Sequence, residues 1–102
     1  MPIVQEEAFA PVCIIEPINT LAEGIKAVNG SRYGLQVGVF SDKLTTMQTC
    51  FQNLDVGAVI MNDVPGFRVD AMPYGGVKDS GLGREGPRYA MEEMTEPRLL
   101  VY

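Results

Sequence analysis

Histidine and tryptophan are absent from this sequence, and cysteine occurs twice, at Cys13 and Cys50. Without an imidazole there is no histidine general base, and two distant cysteines in no CxxC spacing make no zinc site, so no bound metal is expected. Both cysteines sit in apolar segments, which predicts buried free thiols rather than a disulfide. Basic residues are scarce: eight Lys and Arg against thirteen Asp and Glu give a net charge of -5. That excess argues against nucleic acid or an anionic membrane surface as the main partner. No apolar run approaches the roughly 20 residues of a membrane span, so no membrane partner is expected. The opening MPIVQEEAF lacks the basic and apolar regions of a secretory signal, and the expectation is a soluble, cytoplasmic chain. A G-x-S-x-G elbow, a Walker loop and an H-E-x-x-H helix are also missing, and no catalytic residue is assigned within the chain.

What is present points to a globular α/β layer. Of the 102 residues 46% are hydrophobic and 21% charged, which excludes a disordered chain. A domain this short is expected to bury about 65% of its unfolded surface in one modest core. The apolar run Val12 to Ile15, bounded by Pro11 and Pro17, predicts a strand buried on both faces. Thr20 and Glu23 have capping-box spacing ahead of Leu21, Ile25 and Val28, and Gly30 stops that helix. A strand is expected from Gly34 to Phe40. A second helix follows, capped by Ser41 or Asp42 and carrying Leu44, Met47, Phe51 and Leu54 on one face, and then a short strand from Ala58 to Met61. The alternation predicts a mainly parallel sheet with flanking helices. From Asn62 to Gly86 prolines and glycines remove any period, and a loop of that length is usually functional. A third helix is expected from about Arg84 to Glu96, burying Tyr89, Ala90 and Met94. Pro97 ends it before a strand from Leu99 to Tyr102.

Four patterns could carry chemistry. Gly81 to Gly86 reads GxGxxG, but no apolar strand precedes it, Pro87 interrupts the opening, and the chain ends before a second strand could bring the acidic partner. Its glycines are expected to serve a winding backbone. Arg68, Lys78, Arg84 and Arg88 crowd one stretch and leave a local anion site open. Glu6, Glu7 and Phe9 stand just before the first expected strand. An acid there can accept from a ribose diol while a ring packs on a flat heterocycle, or the acids are a charged lead-in with Phe9 as core. Arg68, in the loop just before Tyr74, either reaches a channel mouth to bind a carboxylate or phosphate, or pairs with Asp70 or Asp63 at the surface.

Several ordered stretches together resemble the C-terminal part of the aldehyde dehydrogenase superfamily over Gln5 to Tyr102: EEAFAPV, NGSRYGLQVGVFSDKL, GAVIMND and MPYGGVKDSGLGREGPRYAMEEMTEPRLLV. The loop is similar to that of members acting on lactaldehyde or, without phosphorylation, on glyceraldehyde 3-phosphate. Ala10 departs from the usual glycine. The resemblance implies that Glu7 binds the ribose hydroxyls on the nicotinamide side of NAD or NADP, that Phe9 packs beside the nicotinamide, and that Leu35 lies near the cofactor. It implies that Tyr74 faces the substrate channel, and Arg68, from its place in the loop just before Tyr74, is the candidate selector of anionic aldehydes.

In the family the nucleophilic cysteine, the glutamate base, the oxyanion-binding asparagine and the Rossmann domain belong to segments upstream of the one resembled here. Residues 1-97 are therefore expected to be part of the catalytic domain, and 98-102 the strand used in homo-oligomer pairing. The leading expectation is an NAD(P)-dependent aldehyde-oxidising enzyme's C-terminal segment, with a small aldehyde as substrate of the complete enzyme. The isolated chain is expected to bind no cofactor and to be inactive. The alternative is a non-enzymatic interaction module that pairs with a full-length homologue through an exposed sheet edge.

Overall fold

The first helix begins where the sequence can satisfy its loose amide groups. In the computed structural model, which describes residues 3 and 5-102, α1 spans Leu21–Asn29, and the Thr20 side chain accepts from the Glu23 amide at 3.2 Å. The reciprocal bond of the capping box lands one residue early: the Glu23 carboxylate accepts from the Asn19 amide at 2.8 Å. Met1, Pro2 and Val4, at the start of the 1-97 span, lie outside the described residues.

The expected strand from Gly34 to Phe40 is divided at Leu35. Before it, β1 (Tyr33–Gly34) pairs antiparallel with a late strand, β4 (Val77–Lys78); after it, β2 (Gln36–Val39) pairs in parallel with β3 (Ala58–Met61). The connection between β2 and β3 is α2 (Leu44–Asn53), which gives a β-α-β unit. Asn29 fastens the helices together, its side chain donating to the Asn53 carbonyl at 2.7 Å and accepting from the Asp55 amide at 2.8 Å. Two backbones approach closely at Gly57, where a Cβ would collide with the Gly75 carbonyl.

Several expectations need correction. Among the described residues the strands form two two-stranded ladders, one parallel and one antiparallel, instead of one mainly parallel sheet. Val12–Ile15 and Leu99–Tyr102 pair with no strand among the described residues. Ala10 and Val12 amides are instead spent two residues back, on the Ala8 and Ala10 carbonyls at 2.9 and 2.8 Å. The cap of α2 is Lys43, while Ser41 accepts from the Lys43 amide at 3.1 Å within the preceding turn. The third helix is shorter, α3 spanning Pro87–Glu93, and it leaves Met94 exposed. Cys50 is buried as expected, but Cys13 is exposed, in a segment that pairs with no strand among the described residues.

The core is correspondingly small. Among the described residues Cys50 is the one fully buried side chain. The accessible surface is 8462 Å², whereas a compact monomer of this mass exposes about 5700 Å². The chain thus buries roughly half of its unfolded surface, short of the expected two-thirds. With a radius of gyration of 17.0 Å against about 13 Å for a compact chain of this length, its apolar faces are turned outward.

Candidate functional site

Two groups of expected site residues come together, and they do so separately. The first surrounds an open cleft of about 1020 Å³, lined by Glu6, Glu7, Arg32, Leu35, Val37 and Asp79 among others. The cleft forms because β1 and β2 leave Leu35 between their two ladders, and the segment carrying Glu6 and Glu7 lies across the same hollow. Its cation is already occupied: Arg32 Nε donates to Asp79 Oδ2 at 2.6 Å, and the guanidinium lies 5.4 Å from the Tyr33 ring centroid. The hydrogen bond to Asp79 is the main cause holding the Arg32 pKa above its ordinary value, with smaller contributions from the charges of Asp79, Tyr33 and Glu6. Both partners are exposed, so this pair orients more than it stabilises. Glu6 and Glu7 remain as acceptors, and Leu35 and Val37 supply apolar surface.

The second group lies in the irregular stretch after β3. Tyr74 and Glu85 exchange backbone hydrogen bonds at 3.1 and 2.6 Å, an isolated antiparallel bridge that closes the glycine-rich segment. Gly86 continues at φ +117°, and a Cβ there would meet the Met72 carbonyl at 2.8 Å. Across this bridge Arg68 donates to Glu85 Oε2 at 2.7 Å and stacks 4.2 Å above the Tyr74 ring centroid. The start of the loop is tied to β2: Gln36 Nε2 donates to the Pro65 and Phe67 carbonyls at 2.6 and 3.2 Å.

Glu7 and Leu35 therefore share one cleft, and Arg68 meets Tyr74, but neither Arg68 nor Tyr74 lines the cleft. Phe9 joins neither group. It is 93% exposed, so it is not a core residue either. The surface partner of Arg68 is Glu85, in place of the expected Asp70 or Asp63; Asp63 accepts from the Val64 amide next to it. The basic cluster does not converge. Lys78 reaches the Asn29 and Ser31 carbonyls and Asp55, Arg84 reaches the Gly76 and Gly83 carbonyls, and Arg88 pairs with Glu92 on its own helix. Gly81, Gly83 and Gly86 all have positive φ, the winding backbone expected of them.

Glu85 and Gln36 are the residues that reading the sequence missed. Their bonds span 17 and about 30 positions with no local pattern to announce them. Among the described residues no helix is long and apolar enough to cross a membrane.

The model of the aldehyde dehydrogenase family matches residues 1–100. A 3-sulfolactaldehyde dehydrogenase of Priestia megaterium is 46% identical over 101 residues, covering 99% of this chain and 21% of that protein. The NAD+ complex of an aldehyde dehydrogenase from Bacillus cereus superposes with a TM-score of 0.88 at 40% identity, over 94% of this chain and 19% of that one. Glyceraldehyde-3-phosphate dehydrogenase GapN of Methanocaldococcus jannaschii, complexed with NADP, gives 0.69 at 48% identity, over 72% and 16%. The chain spans about a fifth of the length of the curated relatives it matches.

Proposed function

The chain belongs to the aldehyde dehydrogenase family, and from that premise we propose that it is the C-terminal segment of an NAD(P)-dependent enzyme oxidising an aldehyde to a carboxylic acid. The observation that carries the reading is the shared cleft: Glu7 and Leu35, distant in sequence, face one hollow of cofactor-compatible chemistry. A ribose diol offers two O–H donors, and an ionised carboxylate is acceptor-only, so Glu7 suits it; Leu35 and Val37 suit the apolar flank of a heterocycle. NAD or NADP, when bound, accepts the hydride. The chain's own part is to hold the ribose through Glu7 and to limit the ring's movement through Leu35. Phe9, free of other packing, is assigned to close against the nicotinamide once the remaining segments of the enzyme are in place.

The second group serves the aldehyde. Tyr74 gives the channel an aromatic wall, and Arg68 selects substrates bearing an anionic group through a two-point contact. Names among the relatives support that class, since sulfolactaldehyde carries a sulfonate and glyceraldehyde 3-phosphate a phosphate. Arg98–Tyr102, apolar and exposed from Leu99 onward, is assigned to subunit pairing, because it pairs with no strand among the described residues and can extend a neighbouring sheet. The isolated chain, lacking the nucleophile and the base, is inactive and holds no cofactor. The test is NADH or NADPH formation with succinate semialdehyde and butanal by the complete polypeptide that carries this segment. Aldehyde-dependent reduction is expected, and its absence with both cofactors overturns the reading.

A further inference from the structure

A loop arginine selects an anion only if its guanidinium is aimed, because two-point recognition of a carboxylate or phosphate depends on the plane as well as the charge. Arg68 is a long, rotamer-rich side chain, 44% exposed, and nothing in its own segment fixes it. Two contacts from elsewhere do. The Tyr74 ring lies 4.2 Å from the guanidinium and sets its plane, and Glu85 Oε2, at 2.7 Å from one terminal nitrogen, sets its rotation within that plane. Tyr74 and Glu85 are themselves held opposite each other by the reciprocal backbone bonds of their bridge, so ring and carboxylate start from one fixed stretch of backbone. Of the five N–H donors on a guanidinium, the bond to Glu85 engages Nη2, and the side chain stays 44% exposed.

We infer that Glu85 is a positioning residue for anionic-aldehyde selection: it pins one edge of the Arg68 guanidinium against the Tyr74 face and aims the other edge at the anionic group of the substrate. The inference rests on the reading of Arg68 proposed above. A carboxylate beside the receptor also opposes the incoming anion, and the balance is set by exposure. The Glu85 side chain is 65% exposed, so water and salt screen its charge, whereas the geometric constraint is not screened.

The experiment separates geometry from charge in the complete enzyme, with succinate semialdehyde as the anionic probe and butanal as the neutral one. Glu85→Asp keeps the charge and shortens the reach by one methylene. It is expected to raise KM for succinate semialdehyde about three- to fivefold, the scale of an exposed ion pair, with kcat and both butanal constants unchanged. Glu85→Gln keeps the reach and an acceptor oxygen, and is expected to preserve most of the preference. Neither substitution is expected to matter in an Arg68→Met background. A normal KM in Glu85→Asp, a fall in KM in Glu85→Gln, an equal loss of kcat for both aldehydes, or the same shift without Arg68 each overturns the positioning role. If Arg68→Met alone leaves the preference for succinate semialdehyde intact, the reading of Arg68 fails, and this inference with it.

Discussion

The cleft around Leu35 and the loop around Arg68 are two walls built on opposite principles. The cleft wall takes Leu35 from between two regular strands, yet its acid, Glu7, rides on a segment whose nearest backbone bonds are local turns from Ala8 to Val12. The loop wall has almost no regular structure, yet Arg68, Tyr74 and Glu85 are cross-tied, and Gln36 anchors the start of the loop to β2. Order at a site therefore follows from where hydrogen bonds find distant partners, and regularity of the backbone is a poor guide to it. The same contrast covers Val12–Ile15 and Leu99–Tyr102, which are patterned as strands and pair with no strand among the described residues, while irregular Tyr74 and Glu85 form a bridge.

The largest effect is expected from asking either wall to work alone. The purified 102-residue chain should form no NADH or NADPH from small aldehydes, since on the proposed reading the nucleophile and the base come from other segments of the enzyme. Turnover that tracks the protein and disappears on Cys13→Ser or Cys50→Ser would break the argument for both walls at once.

Within the complete enzyme the walls should fail differently. Glu7→Gln should slow hydride transfer for every aldehyde by about ten- to a hundredfold, from loss of roughly 1.5 to 3 kcal/mol of charged hydrogen bonding to the ribose, with Glu6→Gln nearly silent. Single-turnover kinetics measure this, and equal, small effects from both would return Glu7 to a charged lead-in. Arg68→Met should lower kcat/KM about tenfold or more for succinate semialdehyde and leave butanal unchanged. Parallel losses would mean that Arg68 supports the loop instead of the substrate.

The smallest effect sharpens the contrast itself. Gln36→Ala removes the tie to Pro65 and Phe67 at a cost of about 1 kcal/mol, the net worth of a hydrogen bond. Amide exchange should quicken in residues 62–68 without changing around α1, and the preference for the anionic aldehyde should fall by roughly fivefold at most. Unchanged exchange in that stretch would show that the loop owes its order to the Tyr74 bridge alone.

What the sequence by itself determined is whatever depends on neighbours in the chain. Thr20 and Glu23 start α1 because capping acts across three residues, and Gly81, Gly83 and Gly86 mark a winding backbone because positive φ is a property of single residues. The motifs that resemble aldehyde dehydrogenases were legible for the same reason, since each is a short ordered string, and Glu7, Leu35, Tyr74 and Arg68 are the residues proposed from those strings. Only the tertiary structure decided that Leu35 divides two ladders, that Glu85 and not Asp70 or Asp63 holds Arg68, that Phe9 stays out of the cleft, and that the apolar ends find no partner among the described residues. An apolar run states that a segment gains by burial, and a strand needs a second chain segment beside it to satisfy its amides and carbonyls. Whether that second segment exists is a fact about the fold, and no local pattern contains it.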